Sequence, residues 1–207
     1  MVDRLRADGI TDQAVLEAMN TVPRHFFVEE GLDVGAYGED PIKIGFEQTI
    51  SRPSTVAMQS QLLMLEPGMR VLEVGTGSGY QTAVLCQMGA RVFTIERQAG
   101  LFERPKPILQ QLGLSAQFYL GDGYKGLPQF RFTPFDRVII TCGAPFVPQA
   151  LMHQMKLGGI MVIPVGDGEQ EMLRITKRGD TPEEWEVEHF GKFNFVPMLR
   201  GRNLKTS

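Results

Sequence analysis

The chain has 207 residues and a formal net charge of −3, with 43% hydrophobic and 22% charged residues. That size and balance describe a globular chain with a core of its own and exclude a disordered segment or a membrane-spanning protein. The slightly acidic charge also argues against a nucleic-acid partner, because holding phosphates calls for a basic face.

Two cysteines, Cys86 and Cys142, lie far apart and suggest neither a disulfide framework nor a cysteine zinc site. His25, His153 and His189 are scattered without metal-ligand spacing, so no metal is expected. Met1 to Arg6 lacks the charged-then-apolar pattern of a signal peptide. A cytoplasmic location and no membrane partner are therefore expected. The mildly basic stretch Arg200 to Lys205 reads as a solvated tail.

In chain order, apolar residues at helical spacing predict a first helix over Thr11 to Met19, capped at Thr11-Asp12. Residues 31 to 51 are rich in glycine and polar groups and read as an ordered loop or short strands. A helix follows from Pro53 to Leu65, with proline in its first turn. Strands and helices then alternate: strand 70 to 74, helix 80 to 88, strand 91 to 95, strand 116 to 120, strand 136 to 141, helix 147 to 155 and strand 159 to 165. Between the second and third of these strands, Pro105 and Pro107 interrupt the crossover from Leu101 to Leu112. An irregular segment is expected there, with helix resuming near Pro107. Two last strands, 172 to 176 and 185 to 193, are joined by a polar turn and suit an antiparallel pair at the sheet edge. Runs of Val, Ile and Leu in the earlier strands specify a parallel sheet covered on both faces. The fold class is α/β: a doubly wound, mostly parallel sheet with antiparallel C-terminal strands and an N-terminal helical segment. A single domain over 1–207 is expected, with 1–66 forming the N-terminal segment and 67–207 the sheet core and C-terminal strands.

The sharpest local signal is Glu73-Val74-Gly75-Thr76-Gly77-Ser78-Gly79-Tyr80, which follows a strand and opens a helix. Glycines let the backbone turn tightly and approach a ligand. A dinucleotide fingerprint would place glycine or alanine where Tyr80 stands. Glu73, two residues before the first glycine, would repel a pyrophosphate but suits the amino group of a zwitterionic, sulfonium-bearing ligand. Glu96 ends the second strand of the alternating region, where a carboxylate accepts from both ribose hydroxyls. Asp122, in Gly121-Asp122-Gly123 after the third, is placed to accept from an adenine amino group. Alone, each acid reads as a surface charge or a turn residue. Together they converge where open parallel sheets bind ligands, and they point to S-adenosylmethionine, with S-adenosylhomocysteine as product.

The sheet says nothing of the methyl acceptor. After the fourth strand stands Thr141-Cys142-Gly143-Ala144-Pro145, without the amide and aromatic of nucleobase amino-methylases, the Pro-Cys of cytosine methylases or the acidic cluster of catechol methylases. The informative stretch is Gln48-Thr49-Ile50-Ser51-Arg52-Pro53. With Val22 to Phe27, Leu72 to Gly79, Gly121-Asp122-Gly123, Ala144-Pro145, Leu157-Gly158-Gly159 and Phe195-Val196-Pro197, it resembles the protein-L-isoaspartate(D-aspartate) O-methyltransferase family along nearly the whole chain.

That resemblance implies a Rossmann-like class I methyltransferase acting as a monomer on isoaspartyl proteins and peptides. It implies methyl transfer to the free carboxylate of the isoaspartyl residue, after which the ester closes to a succinimide without the enzyme. It places Ser51 beside the reacting carboxylate, with Gln48, Thr49, Ile50 and Val196 around the peptide. The cofactor set becomes Glu73, Gly75, Thr76, Gly77, Ser78, Gly79, Glu96, Arg97, Gly121 and Asp122. Ser51 also reads as a helix cap before Pro53. Five positions depart from the family pattern: Phe46 where histidine is common, Glu47 where glycine is, Arg52 for a neutral residue, and the unusual prolines Pro105 and Pro107. A Glu47 pointing inward would repel an anionic substrate. The competing readings are a methyltransferase for another carboxylate, a non-catalytic module that binds the cofactor and, more distantly, a nicotinamide oxidoreductase, which Tyr80 and Glu73 disfavour.

Overall fold

The computed structural model describes residues 1–127 and 134–205. A seven-stranded sheet runs through the chain in the order β5-β4-β3-β6-β7-β8-β9. Its strands are β3 (Arg70–Val74), β4 (Arg91–Glu96), β5 (Gln117–Leu120), β6 (Phe135–Ile140), β7 (Met155–Val165), β8 (Gln170–Lys177) and β9 (Trp185–Phe193). Pairings from β5 across to β7 are parallel, whereas β8 runs antiparallel to both β7 and β9. The chain steps outward from β3 through β4 to β5 and then crosses back to place β6 on the other side of β3. The carboxyl ends of β3, β4 and β6 therefore open onto one crevice, where open α/β sheets take ligands.

Alternation along each strand sorts the core into two layers. On β3, Val71 joins one apolar cluster while Leu72 and Val74 join the other. The same pattern puts Glu73 on the first face, under the helix α4 (Tyr80–Gln87) that follows the glycine loop. The first layer also takes in the N-terminal helices α1 (Val2–Ala7), α2 (Gln13–Thr21) and α3 (Pro53–Leu62). Asp12 caps α2 through bonds from the backbone N–H groups of Ala14 and Val15, as its sequence position foretells. Tyr80, 1% exposed, projects from the start of α4 into these helices and meets Phe27 edge-on. Its bulk has somewhere to go because the N-terminal segment, not another strand crossover, covers this face.

Two expectations shift. Short helices α5 (Ala99–Phe102) and α6 (Pro105–Gln111) fill the crossover, and α6 starts at Pro105, not Pro107. The first backbone N–H groups of a helix have no partner inside it, so prolines at the first and third positions forfeit no bond. The expected helix from 147 to 155 shrinks to one turn, α7 (Gln149–Met152), because β7 begins early. Met155 pairs with Phe135 and Ile160 with Arg137, so the intervening residues bulge, with Gly158 at φ +74°.

A small hairpin stands apart from the main sheet, formed by β1 (Ile42–Gly45) and β2 (Gln48–Ile50). Residues 194 to 205 form a strap rather than the solvated tail expected for its end. The N–H of Gly143 donates to Val196 O and that of Met198 to Gly143 O. Asn203 exchanges bonds with Arg97 and Ala99, and the Gly201 N–H donates to the Asp122 carboxylate.

Candidate active site

Two cavities open side by side at the carboxyl edge of the sheet. The first encloses about 810 Å³ counted to its mouth and is lined by the glycine loop, Glu96, the β2 end, Thr141 and the strap. The second, about 890 Å³, runs from Pro41 and Arg52 to Lys192 and Phe195. Thr49, Ile50, Ser51, Thr141 and Val196 line both. They form the seam where the cavities meet.

The glycine loop is shaped by conformation and by close approach. Gly75, Gly77 and Gly79 lie at φ +102°, +53° and +85°. A Cβ on Gly75 would stand 2.5 Å from Thr141 Oγ1, which donates to the Val74 and Gly75 carbonyls. A Cβ on Gly79 would overlap Pro105, so the start of α6 packs against the end of this loop. Glu96 sits in the cavity at the end of β4, 5% exposed, and takes one bond at each oxygen, from the N–H groups of Gly77 and Gln98. A carboxylate oxygen accepts more than one bond, so both remain able to take a ligand hydroxyl.

Not every sequence candidate reaches the cavity. Gly75, Thr76, Gly77, Ser78, Glu96 and Arg97 line it. Glu73, Gly79, Gly121 and Asp122 do not line it; Gly123 of the same motif does. Asp122 accepts one bond at each oxygen, Oδ1 from the Tyr124 N–H and Oδ2 from the Gly201 N–H, and what keeps it from the ligand is its place outside the cavity lining. Glu73 is fully buried and accepts from Thr82 Oγ1 at 2.5 Å, while its Oε1 has no partner among the described residues.

Burial lifts the Glu73 carboxyl to about 7, against the lowering effect of the Thr82 and Thr94 hydroxyls, and Glu96 adds to the rise. A raised carboxyl pKa means that the folded state binds this proton more tightly than the unfolded chain. The stabilisation is fully present below the ordinary value of 4.5 and is lost as pH climbs to about 7. The loss amounts to about 3 kcal/mol. Denaturant titrations of the ligand-free protein should show stability falling across that window and levelling above it. The Glu73→Gln variant should flatten the fall, and a wild-type profile unchanged between pH 5 and 7.5 would refute the assignment.

Sequence reading missed several lining groups. Gln81, the second residue of α4, donates to Ser60 Oγ, and its buried Oε1, beside the cavity, has no partner among the described residues. Cys142, Pro197, Met198 and Leu199 also line the first cavity. The strap residues were hidden because hydrogen bonds to distant segments place them, not any local periodicity. Burial, with Glu96 adding to it, pushes the Cys142 thiol up to about 12, so it is uncharged here.

The hairpin explains two departures from the family pattern. Phe46 and Glu47 form its two-residue turn at φ +51° and +59°, a conformation natural to glycine and asparagine. Arg104 offsets that strain. Its Nη1 donates to Ile44 O at 2.9 Å and its guanidinium lies 5.4 Å from the Phe46 ring. The ring also occupies the space where a Cβ on Gly100 would stand. Glu47 is exposed and lines neither cavity, so it does not point at a substrate. Arg52 is exposed on the rim of the second cavity and has no ion-pair partner among the described residues.

Ser51 lies in the joint between β2 and α3. The cap position of α3 is Arg52 and carries no side-chain bond, so Ser51 does not cap the helix. Its hydroxyl has no hydrogen bond among the described residues, while it lines both cavities. Among the described residues, no three His, Cys, Asp or Glu side chains gather as metal ligands do.

Known proteins resemble this chain. The sequence model of one family, described as Protein-L-isoaspartate(D-aspartate) O-methyltransferase (PCMT), matches residues 1–203. A protein-L-isoaspartate O-methyltransferase of Cytophaga hutchinsonii is 52% identical, with 100% of this chain and 93% of the relative covered. One of Flavobacterium johnsoniae is 47% identical over 98% of this chain and 94% of its own length. A Plasmodium falciparum structure described as a beta-aspartate methyltransferase (PCMT) in complex with S-adenosyl-L-homocysteine superposes with a TM-score of 0.82 over 96% of each chain. At 22% identity it bears on the fold alone.

Proposed function

We infer the working of this site from one premise: the chain belongs to the protein-L-isoaspartate(D-aspartate) O-methyltransferase family. It is an S-adenosylmethionine-dependent protein carboxyl O-methyltransferase that acts on the free carboxylate of L-isoaspartyl residues. The first cavity suits that cofactor. Glu96 offers two buried carboxylate oxygens, Gln81 an unpartnered acceptor, and the glycines a backbone that a ligand can approach closely. We assign Gly75, Thr76, Gly77, Ser78, Glu96, Arg97 and Gln81 to holding it, with Glu73 acting from behind through Thr82 and Gly79, Gly121 and Asp122 shaping the loops. When bound, the cofactor supplies an electrophilic methyl group on a sulfonium.

The second cavity is proposed to take the peptide, with Thr49, Ile50 and Val196 around the isoaspartyl residue and Gln48 beside it from the first cavity. The observation that carries this reading is the unpartnered Ser51 hydroxyl at the seam. The acceptor is a carboxylate, already ionised at neutral pH, so no general base is required. The protein's task is alignment and exclusion of water. The Ser51 O–H donates to one carboxylate oxygen and leaves the other free to face the methyl group. Holding reactants in such a geometry supplies roughly 7–11 kcal/mol in favourable systems. Arg52 adds a cation on the rim where an anionic group enters. After transfer, the next residue's backbone nitrogen attacks the ester carbonyl and expels methanol, which gives the succinimide.

Both cavities are lined by one chain, so a single copy suffices, and we propose that residues 1–207 act as one monomeric domain. Among the described residues no helix is long and apolar enough to cross a membrane. We place the protein in the cytoplasm without a membrane or nucleic-acid partner. The test is transfer of labelled methyl to a peptide containing isoaspartate, beside the same peptide with ordinary aspartate. Transfer to the isoaspartyl peptide alone is expected; no transfer to it while the cofactor still binds would sink the substrate assignment.

A further inference from the structure

We propose that Arg24 is a positioning residue for the reaction and sets the place of Ser51 from the protein interior. The proposal rests on the reading of Ser51 given above. Arg24 is fully buried. Its Nε donates to Ala36 O at 2.6 Å and its Nη2 to Ser51 O at 2.7 Å. The guanidinium carbon lies 4.6 Å from the centroid of the Tyr80 ring. One planar group thus joins three separate pieces: the loop before β1, the Ser51 joint, and the first residue of α4, which itself lines the cofactor cavity.

A purely structural role is a poor account of this side chain. Among the described residues it makes no ion pair, and its Nη1 has no hydrogen-bond partner. Burial lowers its pKa, although the tyrosines and Glu39 act the other way. A buried cation with that little compensation costs stability, and an apolar side chain of similar volume commonly serves a core as well or better. What an apolar side chain does not do is hold two carbonyls in a fixed fork, and lysine has no such fork either. The carbonyl of Ser51 is the one held, and the Ser51 side chain stands on the same residue at the seam. The joint it occupies has no side-chain cap to fix it otherwise. Tyr80 gives the fork a reference on the cofactor side, so Arg24 registers the acceptor's hydrogen-bond donor against the cavity that supplies the methyl group.

The test is a double-mutant cycle on the full-length protein, with Arg24→Met and Arg24→Lys each made alone and in a Ser51→Ala background. Steady-state kinetics on an isoaspartyl peptide, cofactor affinity and thermal melting are measured for all. Arg24→Met should lower kcat by about tenfold or more, since displacement of a reacting group by about 1 Å can cost about 100-fold. Cofactor affinity should change by less than about twofold, and Arg24→Lys should recover part of the loss. In the Ser51→Ala background the same substitutions should change kcat by less than about twofold, because the hydroxyl to be placed is gone. Equal losses in both backgrounds, or loss of cofactor affinity and melting temperature in step with kcat, would overturn the proposal. So would failure of both Arg24 variants to fold, which would make Arg24 a scaffold residue. If Ser51→Ala alone leaves kcat unchanged, the reading of Ser51 itself fails; if it lowers kcat but the cycle is additive, only the role of Arg24 fails.

Discussion

Replacing Gly75 with alanine should weaken S-adenosylmethionine binding on the order of 100-fold, equivalent to about 3 kcal/mol. Two separate penalties meet at this residue. Its φ of +102° is one that L side chains rarely adopt, and such strain costs about 1–3 kcal/mol. A Cβ would also stand 2.5 Å from Thr141 Oγ1, the hydroxyl that ties the end of β6 to the Val74 and Gly75 carbonyls. Thr141 is not a flexible end that moves aside cheaply, because those bonds to backbone carbonyls hold its hydroxyl, and it also lines the seam between the cavities. Relief of the clash therefore shifts the loop or the seam. Gly68 separates the two penalties: it lies at φ +86° with nothing within 4 Å of the built Cβ. Gly68→Ala should cost stability through strain alone and leave cofactor affinity intact. Isothermal titration of both variants measures the difference, and wild-type affinity in Gly75→Ala would contradict the assignment of this loop.

Ser51→Ala should lower kcat about 10- to 100-fold and leave cofactor affinity nearly unchanged. A hydrogen bond to a charged group is worth about 1.5–3 kcal/mol, which sets that range. The structure makes the substitution a clean one. Ser51 Oγ has no partner among the described residues, so removing it breaks no bond within the protein. Arg24 holds the backbone carbonyl of Ser51, which alanine retains. The helix that follows draws no cap from this side chain. A wild-type kcat would remove Ser51 from the reaction. Parallel loss of cofactor affinity would point instead to a collapsed seam.

Most of the sheet was legible in the sequence because its central strands are buried on both faces, and such strands read as apolar runs bounded by turns. Val71, Leu72, Val138, Ile139 and Ile140 are all fully buried. The glycine loop and Glu96 were legible for a related reason. Glycine at positive φ and an acid at a strand end are local requirements of the chain, and they fall where the topology opens a crevice. What escaped depends on distance in sequence. Asp122 reads as a free carboxylate until Gly201, far along the chain, is seen to donate to it. Glu73 reads as a ligand group until the alternation of β3 turns it under α4 to Thr82. Phe46 and Glu47 read as departures in a glycine-rich turn, while the compensation sits on Arg104 and Gly100. Arg24 carried a family signature, but its target is a backbone carbonyl, which no residue type announces.

The central claim is that the methyl donor and the damaged residue occupy adjoining cavities that meet at Ser51. A crystal structure with S-adenosylhomocysteine and an isoaspartyl peptide bound together tests it most directly. The nucleoside product should lie beside Gly75 to Ser78 and Glu96, the peptide along the second cavity, and one oxygen of its free carboxylate within about 3 Å of Ser51 Oγ. A carboxylate bound elsewhere, with the Ser51 hydroxyl still unpaired, would contradict it.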